Sequence, residues 1–247
     1  MAGVDPRLVA SFGVAIAFDV LMPLALVFWA RRRWGFAWRT VGIGALAFAL
    51  SQLFTRVPLV QLLQYLLREP LQNSATFLQV WLGVMSLTAG LFEETARWWA
   101  FRRPLRDARR WRDAVGFGLG HGGLESALLV AGLAALGLVN VVVLSRMDVG
   151  ALPLPPEQLE QVRAAQAHVA AMRWWEPLLG AYERLGAMGI HVAMSVWVLQ
   201  GVVSGRRRWY WAAVFFHALS NWSAVSVARA LNWCGPLRSV AELKGME

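Results

Sequence analysis

The sequence predicts an all-α fold, a polytopic membrane bundle of about six transmembrane helices with six to eight allowed, and three observations predict it. Of 247 residues, 57% are hydrophobic and only 16% charged, against the roughly 25% charge of soluble domains, and mean hydropathy is +0.47. The apolar residues gather into runs long enough to cross a ~30 Å hydrocarbon core at 1.5 Å per residue. The basic residues gather between those runs.

The first run, Leu8 to Ala30, holds one charge, Asp19. Its basic cluster, Arg31, Arg32 and Arg33, follows the apolar stretch instead of preceding it, so the run reads as a transmembrane helix and not as a cleaved signal peptide. Further runs cover Thr40 to Leu67, Ala75 to Phe101, Ala114 to Leu144, Leu178 to Val203 and Trp209 to Leu231. The second is interrupted by Arg56 and Pro58, which leaves Val57 to Leu67 open as a separate re-entrant or interfacial piece. Between the fourth and fifth runs lies a connector, residues 145–177, broken at Pro153, Pro155 and Pro156. After the break, Leu159, Val162, Val169 and Met172 recur near helical spacing, predicting an interfacial helix with Trp174 and Trp175 at the headgroup level. Residues 1–247 therefore read as a single membrane domain.

A formal charge of +9 and a pI near 11.2 would suggest nucleic acid in a soluble chain. Here thirteen of the twenty-four basic residues fall in three short connectors: Arg31 to Arg33 with Arg39, then Arg102 to Arg112, then Arg206 to Arg208. Positive connectors stay in the cytoplasm, so connectors one, three and five are expected inside and both termini outside, with the bilayer and no nucleic acid as partner. The single cysteine, Cys234, excludes an internal disulfide and a cysteine metal cluster.

Charged groups inside spans cost a few kcal/mol each on insertion scales and mark working sites. Glu93, Glu94 and Arg97 end the third span, His121 and Glu125 lie in the fourth, His191 and Ser195 in the fifth, and His217 and Asn221 in the sixth. Counted from the nearest connector arginine, Glu93, His121 and His217 are each nine residues in, about 13 Å above one membrane face. Glu125 and Asn221, at thirteen residues, and His191, at fifteen, form an expected second layer about 20 to 22 Å up, to which Ser195 is tied by its four-residue spacing from His191. A carboxylate caught between burial and Arg97 suits a general base for water, and His121, His217 and Asn221 suit oxyanion donors. Taken one at a time, each polar residue reads more simply as an inter-helix contact, and Gly116, Gly118, Gly120, Gly122 and Gly123 as points of close helix approach. Asp19, Gln52 and Arg56 read as an inter-helix polar patch or helix-end feature. Three groups at one depth favour a shared site.

Glu93-Glu94-Thr95-Ala96-Arg97, Phe117-x-x-x-His121 and His217-x-x-x-Asn221 resemble, in order, the three motifs of the CAAX-protease and bacteriocin-processing membrane endopeptidases. The fuller strings around Phe92 to Arg97 and Gly120 to Glu125 are similar to the YhfC branch of intramembrane proteases. The resemblance implies proteolysis of a membrane-embedded or membrane-proximal peptide within a catalytic core at residues 75–231. It makes Glu93 the water activator, Arg97 the group that orients the acidic pair with Glu94, and His121, His217 and Asn221 oxyanion or water-positioning groups. It also places the chain in a bacterial or archaeal plasma membrane. A metal-free glutamate mechanism is favoured over zinc, whose ligands would be Glu93, His121 and His217, because no HExxH is present. The other class of reading is a non-catalytic immunity or scaffold factor, or a proton-coupled transporter using the same buried groups as a relay.

Overall fold

The computed structural model describes residues 4–230. Cys234, Arg238, Lys244 and the expected end of the sixth span at Leu231 lie outside the described residues, as does the side chain of Arg229.

Among the described residues, eight helices follow one another, besides a single 3-10 turn at Val149–Ala151: α1 (Pro6–Trp34), α2 (Trp38–Leu66), the short α3 (Arg68–Asn73), α4 (Ala75–Arg102), α5 (Trp111–Arg146), α6 (Pro156–Ala171), α7 (Glu176–Ser204) and α8 (Arg208–Ala230). Their ends follow local chemistry. α1 closes on Arg31 to Arg33, cations at the negative end of the helix dipole, and on Gly35, whose φ of 66° lets its N–H bond back to the Arg31 carbonyl. Ser74 opens α4 by accepting the Phe77 N–H at 3.2 Å. Pro156 begins α6 where its missing N–H costs nothing. The all-α bundle is as expected, and α6 supplies the expected helix in the long connector.

Arg56 and Pro58 do not break the second span. The helix runs through from Trp38 to Leu66 by widening into a π-helical stretch at Ala49–Arg56, and a second such stretch occupies Glu125–Val130 of α5. Among the described residues, α1, α2, α4, α5 and α7 are long and apolar enough to cross a membrane. α8 forms the expected sixth helix, but it does not count as a sixth apolar span, because His217, Asn221 and three serines dilute its hydropathy.

The helices divide into two compact units. One comprises Met1–Ala25 and Glu125–Ala187; the other comprises Leu26–Leu124 and Met188–Glu247. The first has a small core of Leu8, Phe12 and Val141. The second is built around Phe101, Phe117, Met194, Val198 and Ala213, all fully buried. Its polarity is inverted relative to a soluble protein: Phe54 is 74% exposed and Phe215 62%, while Glu94, Arg97 and His121 are 0% exposed. Such a surface is stable only against lipid.

Glycines set the helix crossings of the second unit. On α5, Gly116 and Gly120 face α2, where an added Cβ would run into the Thr40 side chain and the Val41 carbonyl, while Gly118 and Gly122 face Val192 and His191 of α7. The four-residue spacing on each face lets one helix sit backbone to backbone with two neighbours. Gly120→Ala is therefore expected to destabilise the fold by about 1–3 kcal/mol, since backbone cannot yield as a side chain can. Gly13→Ala on α1, with nothing within 4 Å of the new carbon, should leave the thermal unfolding midpoint in detergent unchanged.

Candidate functional site

The close crossings of the second unit converge on one buried polar cluster. α4 meets α8 at Gly90, where a Cβ would lie 2.6 Å from the Val214 carbonyl, and one turn further along α4 presents Glu93 and Glu94. α5 presents His121, α7 His191 and α8 His217, and each of these residues is at most 5% exposed.

Arg97 sits at the centre, fully buried. One guanidinium nitrogen pairs with Glu94 and the other lies 3.4 Å from Glu93 Oε2 and 2.7 Å from His191 Nδ1. A guanidinium only donates, so His191 Nδ1 is the acceptor of that bond and the ring proton resides on Nε2. His121 Nε2 donates to Glu93 Oε2 at 2.9 Å, which leaves its buried Nδ1 without a hydrogen-bond partner. His217 Nδ1 donates to Glu94 Oε1 at 2.9 Å, which turns its Nε2 toward Glu93 Oε1 at 3.7 Å. That is the carboxylate–imidazole arrangement that fixes a tautomer and aims the other nitrogen at a reacting group. Phe117, one turn before His121, and Phe48 pack on the His121 ring with centroids 6.1 and 5.4 Å away, so the imidazole is clamped between apolar faces.

Six of the expected residues thus come together: Glu93, Glu94, Arg97, His121, His191 and His217. His191 is a correction, because it joins Glu93 directly instead of lying a layer above it. Its fifteen-residue ruler starts at Arg206, beyond the end of α7 at Ser204 and past Gly205 with φ 68°, so it is not fifteen helical rises. The nine-residue rulers of Glu93, His121 and His217 lie wholly within helices. Ser195 is buried and donates to the His191 carbonyl at 2.7 Å, supporting its own helix. Asn221 is half-buried one turn beyond His217. Glu125 belongs to the other unit, where Arg184 holds it at 3.0 Å.

Gln52 belongs to the cluster and was assigned to an inter-helix patch by sequence. Its Nε2 donates to Glu93 Oε1 at 2.6 Å and its Oε1 accepts from Arg56 at 3.1 Å, while Arg56 also bonds the Met85 carbonyl at 2.6 Å. The available signal was the Gln52 and Arg56 pair, four residues apart within an apolar run.

Among the described residues, Glu93, His121 and His191 each offer a ligand atom within 4.8 Å of the others. One carboxylate and two imidazoles make a zinc-type donor set, and the buried, unpartnered His121 Nδ1 is a further lone pair in the cluster, so the residues fit a divalent metal. In this set His191 stands where sequence placed His217. Removing Arg97 would leave two buried carboxylates side by side. Arg97→Ala should cost about 3–5 kcal/mol in unfolding free energy measured in detergent, and Arg97→Ala with Glu94→Gln should recover part of it.

Over residues 18–232 the chain matches the family described as "YhfC intramembrane metalloprotease". It is 30% identical to "Uncharacterized membrane protein YhfC" of Bacillus subtilis (strain 168) over 233 residues, 88% of this chain and 83% of that protein. No solved structure matches. An integral membrane protein with a buried Glu, His and Arg cluster, this chain belongs to the YhfC intramembrane metalloprotease family.

Proposed function

We propose that the protein is an intramembrane endopeptidase whose hydrolytic centre is the Glu93 cluster, acting on a membrane-embedded or membrane-proximal peptide bond. The observation that carries this reading is the aim of His217 Nε2 at Glu93 Oε1 across 3.7 Å. That gap is too long for a direct hydrogen bond, so both acceptors stay available to a water that donates to either of them. Glu93 takes the proton as the water oxygen attacks the peptide carbonyl carbon. The C–N bond then breaks and the proton passes to the departing amine nitrogen. Glu94 holds the His217 ring in place, and Gln52 and Arg97 hold the Glu93 carboxylate from either side, so the reacting groups are set before substrate arrives. The connectors that carry Arg31 to Arg39, Arg102 to Arg112 and Arg206 to Arg208 lie on the cytoplasmic side in this reading.

A second role for Glu93 is favoured by the donor set and by the description of the family. Glu93, His121 and His191 would hold a divalent ion, which when bound supplies Lewis-acid activation of water and of the peptide carbonyl. Glu93 is then a ligand, and His217, braced by Glu94, is the base that remains.

Glu93→Gln should lower cleavage of a reconstituted membrane substrate by at least ~10²-fold with the protein still folded in the bilayer, the loss typical of a removed general base. Full retention of activity would remove Glu93 from the chemistry. Metal analysis addresses the second role without an activity assay. The purified protein should bind about one equivalent of zinc or cobalt, His121→Ala and His191→Ala should each weaken binding by 10-fold or more, and His217→Ala should leave occupancy largely intact. Equal loss in all three variants would overturn the assignment of the donor set.

A further inference from the structure

A groove of about 640 Å³ runs between α2 and α4 in the second unit, beside the cluster proposed as catalytic. Three of its lining residues are sequence neighbours of cluster residues: Ser51 precedes Gln52, Thr55 precedes Arg56 and Phe92 precedes Glu93. Leu46 and Leu50 form an apolar rim, 54% and 49% exposed, and Ala47, Ala96 and Ala100 give the groove a small-residue floor. Three hydroxyls, those of Ser51, Thr55 and Thr95, interrupt this apolar surface.

We propose that this groove receives the membrane-spanning segment of the substrate in an unwound form and delivers its backbone to Glu93; the inference rests on the protease reading above. The chemistry selects the form. Inside a helix each peptide carbonyl is bonded to its own chain, and an attacked bond must leave that ladder. Backbone groups freed in a bilayer cost several kcal/mol each unless they find partners. The groove supplies partners. Its α2 wall is the π-helical stretch, where the Thr55 hydroxyl donates to the Leu50 carbonyl and keeps lone pairs to accept a substrate N–H. Ser51 lies in the same stretch, and Thr95 on the α4 wall shares a 2.9 Å hydrogen bond with Tyr210 of α8. A lipid chain, having no backbone donors, gains nothing from these hydroxyls.

The test uses full-length Glu93→Gln protein in phosphatidylcholine and phosphatidylglycerol vesicles, with a photo-crosslinking residue replacing Leu50 or, as control, the lipid-exposed Phe215 of α8. The probes are two synthetic single-span peptides of about twenty Leu and Ala residues, one unbroken and one carrying Gly-Pro at its centre to weaken the helix. The broken peptide should label position 50 at least five-fold more than position 215 and at least five-fold more than the unbroken peptide does. Narrowing the groove with Ala96→Trp, or with Leu46→Trp at the exposed rim where folding is least disturbed, should remove that preference. Equal labelling at the two positions, or phospholipid labelling at position 50 that the broken peptide does not reduce, would overturn the proposal. Selective labelling combined with a wild-type protein that cleaves no peptide would overturn the protease reading and leave the groove assignment standing.

Discussion

The arrangement depends on one buried guanidinium. Arg97 has no access to solvent, and its charge is tolerable only because Glu93, Glu94 and the Nδ1 of His191 surround it. The dependence is mutual. Without Arg97 the adjacent carboxylates would repel each other, and without the carboxylates Arg97 could not be buried in a bilayer. A planar donor with several N–H groups can meet three acceptors from two helices at once, which a lysine ammonium cannot do with the same fixed geometry. The electrostatic requirement of one residue therefore ties α4 to α7, and the hydrogen bond from His217 to Glu94 adds α8.

Electrostatics alone could not assemble this cluster, because carboxylate and imidazole side chains reach only a short way from their backbones. The helices must approach closely, and the glycines permit it. α5 is the clearest case, with Gly116 and Gly120 toward α2 and Gly118 and Gly122 toward α7, so that His121 emerges between two tightly packed faces. With the clamp of Phe48 and Phe117, its ring is fixed by apolar contacts before any hydrogen bond is counted. Between transmembrane helices there is little hydrophobic driving force, so close packing supplies the attraction that a polar site would otherwise lack.

The helices and most of the cluster were legible in the sequence because a bilayer writes two strong signals: length of apolar run and position of arginine. The common depth of Glu93, His121 and His217 was readable for the same reason, since rise per residue is constant inside a helix. Reading failed where the chain left regular helix or where helices sit offset along their axes. His191 was placed a layer too deep: the turn at Gly205 removes only two rises from its ruler, and the thirteen left from Ser204 mean that α7 and α4 are offset or tilted along their axes, which the sequence does not record. Gln52 was set aside because a single amide in an apolar run carries no partner's identity, and its hydrogen bond spans 41 residues to Glu93. The π-helical stretch that carries Gln52 was equally hidden, as Arg56 and Pro58 looked like a break. Nothing in the α8 sequence distinguishes a lipid-crossing helix from one held by its contact with α4.

A second polar group, in which Asp19 and Arg184 are buried, bears on the proposal that the chemistry belongs to Glu93. In the other unit Asp19 is 1% exposed, and Arg184 pairs with both Glu125 and Glu183 at 3.0 Å. Like the Glu93 cluster it holds an arginine between carboxylates, but its Glu183 side chain is 61% exposed. It differs in having no imidazole among these four residues. Carboxylates held by arginine can neutralise a charge and fix a helix crossing, but they offer no group whose ordinary titration lies near neutral pH. Around Glu93 three imidazoles, each with a defined hydrogen-bonding nitrogen, supply proton donors and acceptors in several directions. Burial and charge therefore mark two places that hold ions among apolar helices, and the three histidines are the reason the proposed proton transfer is assigned to the Glu93 cluster.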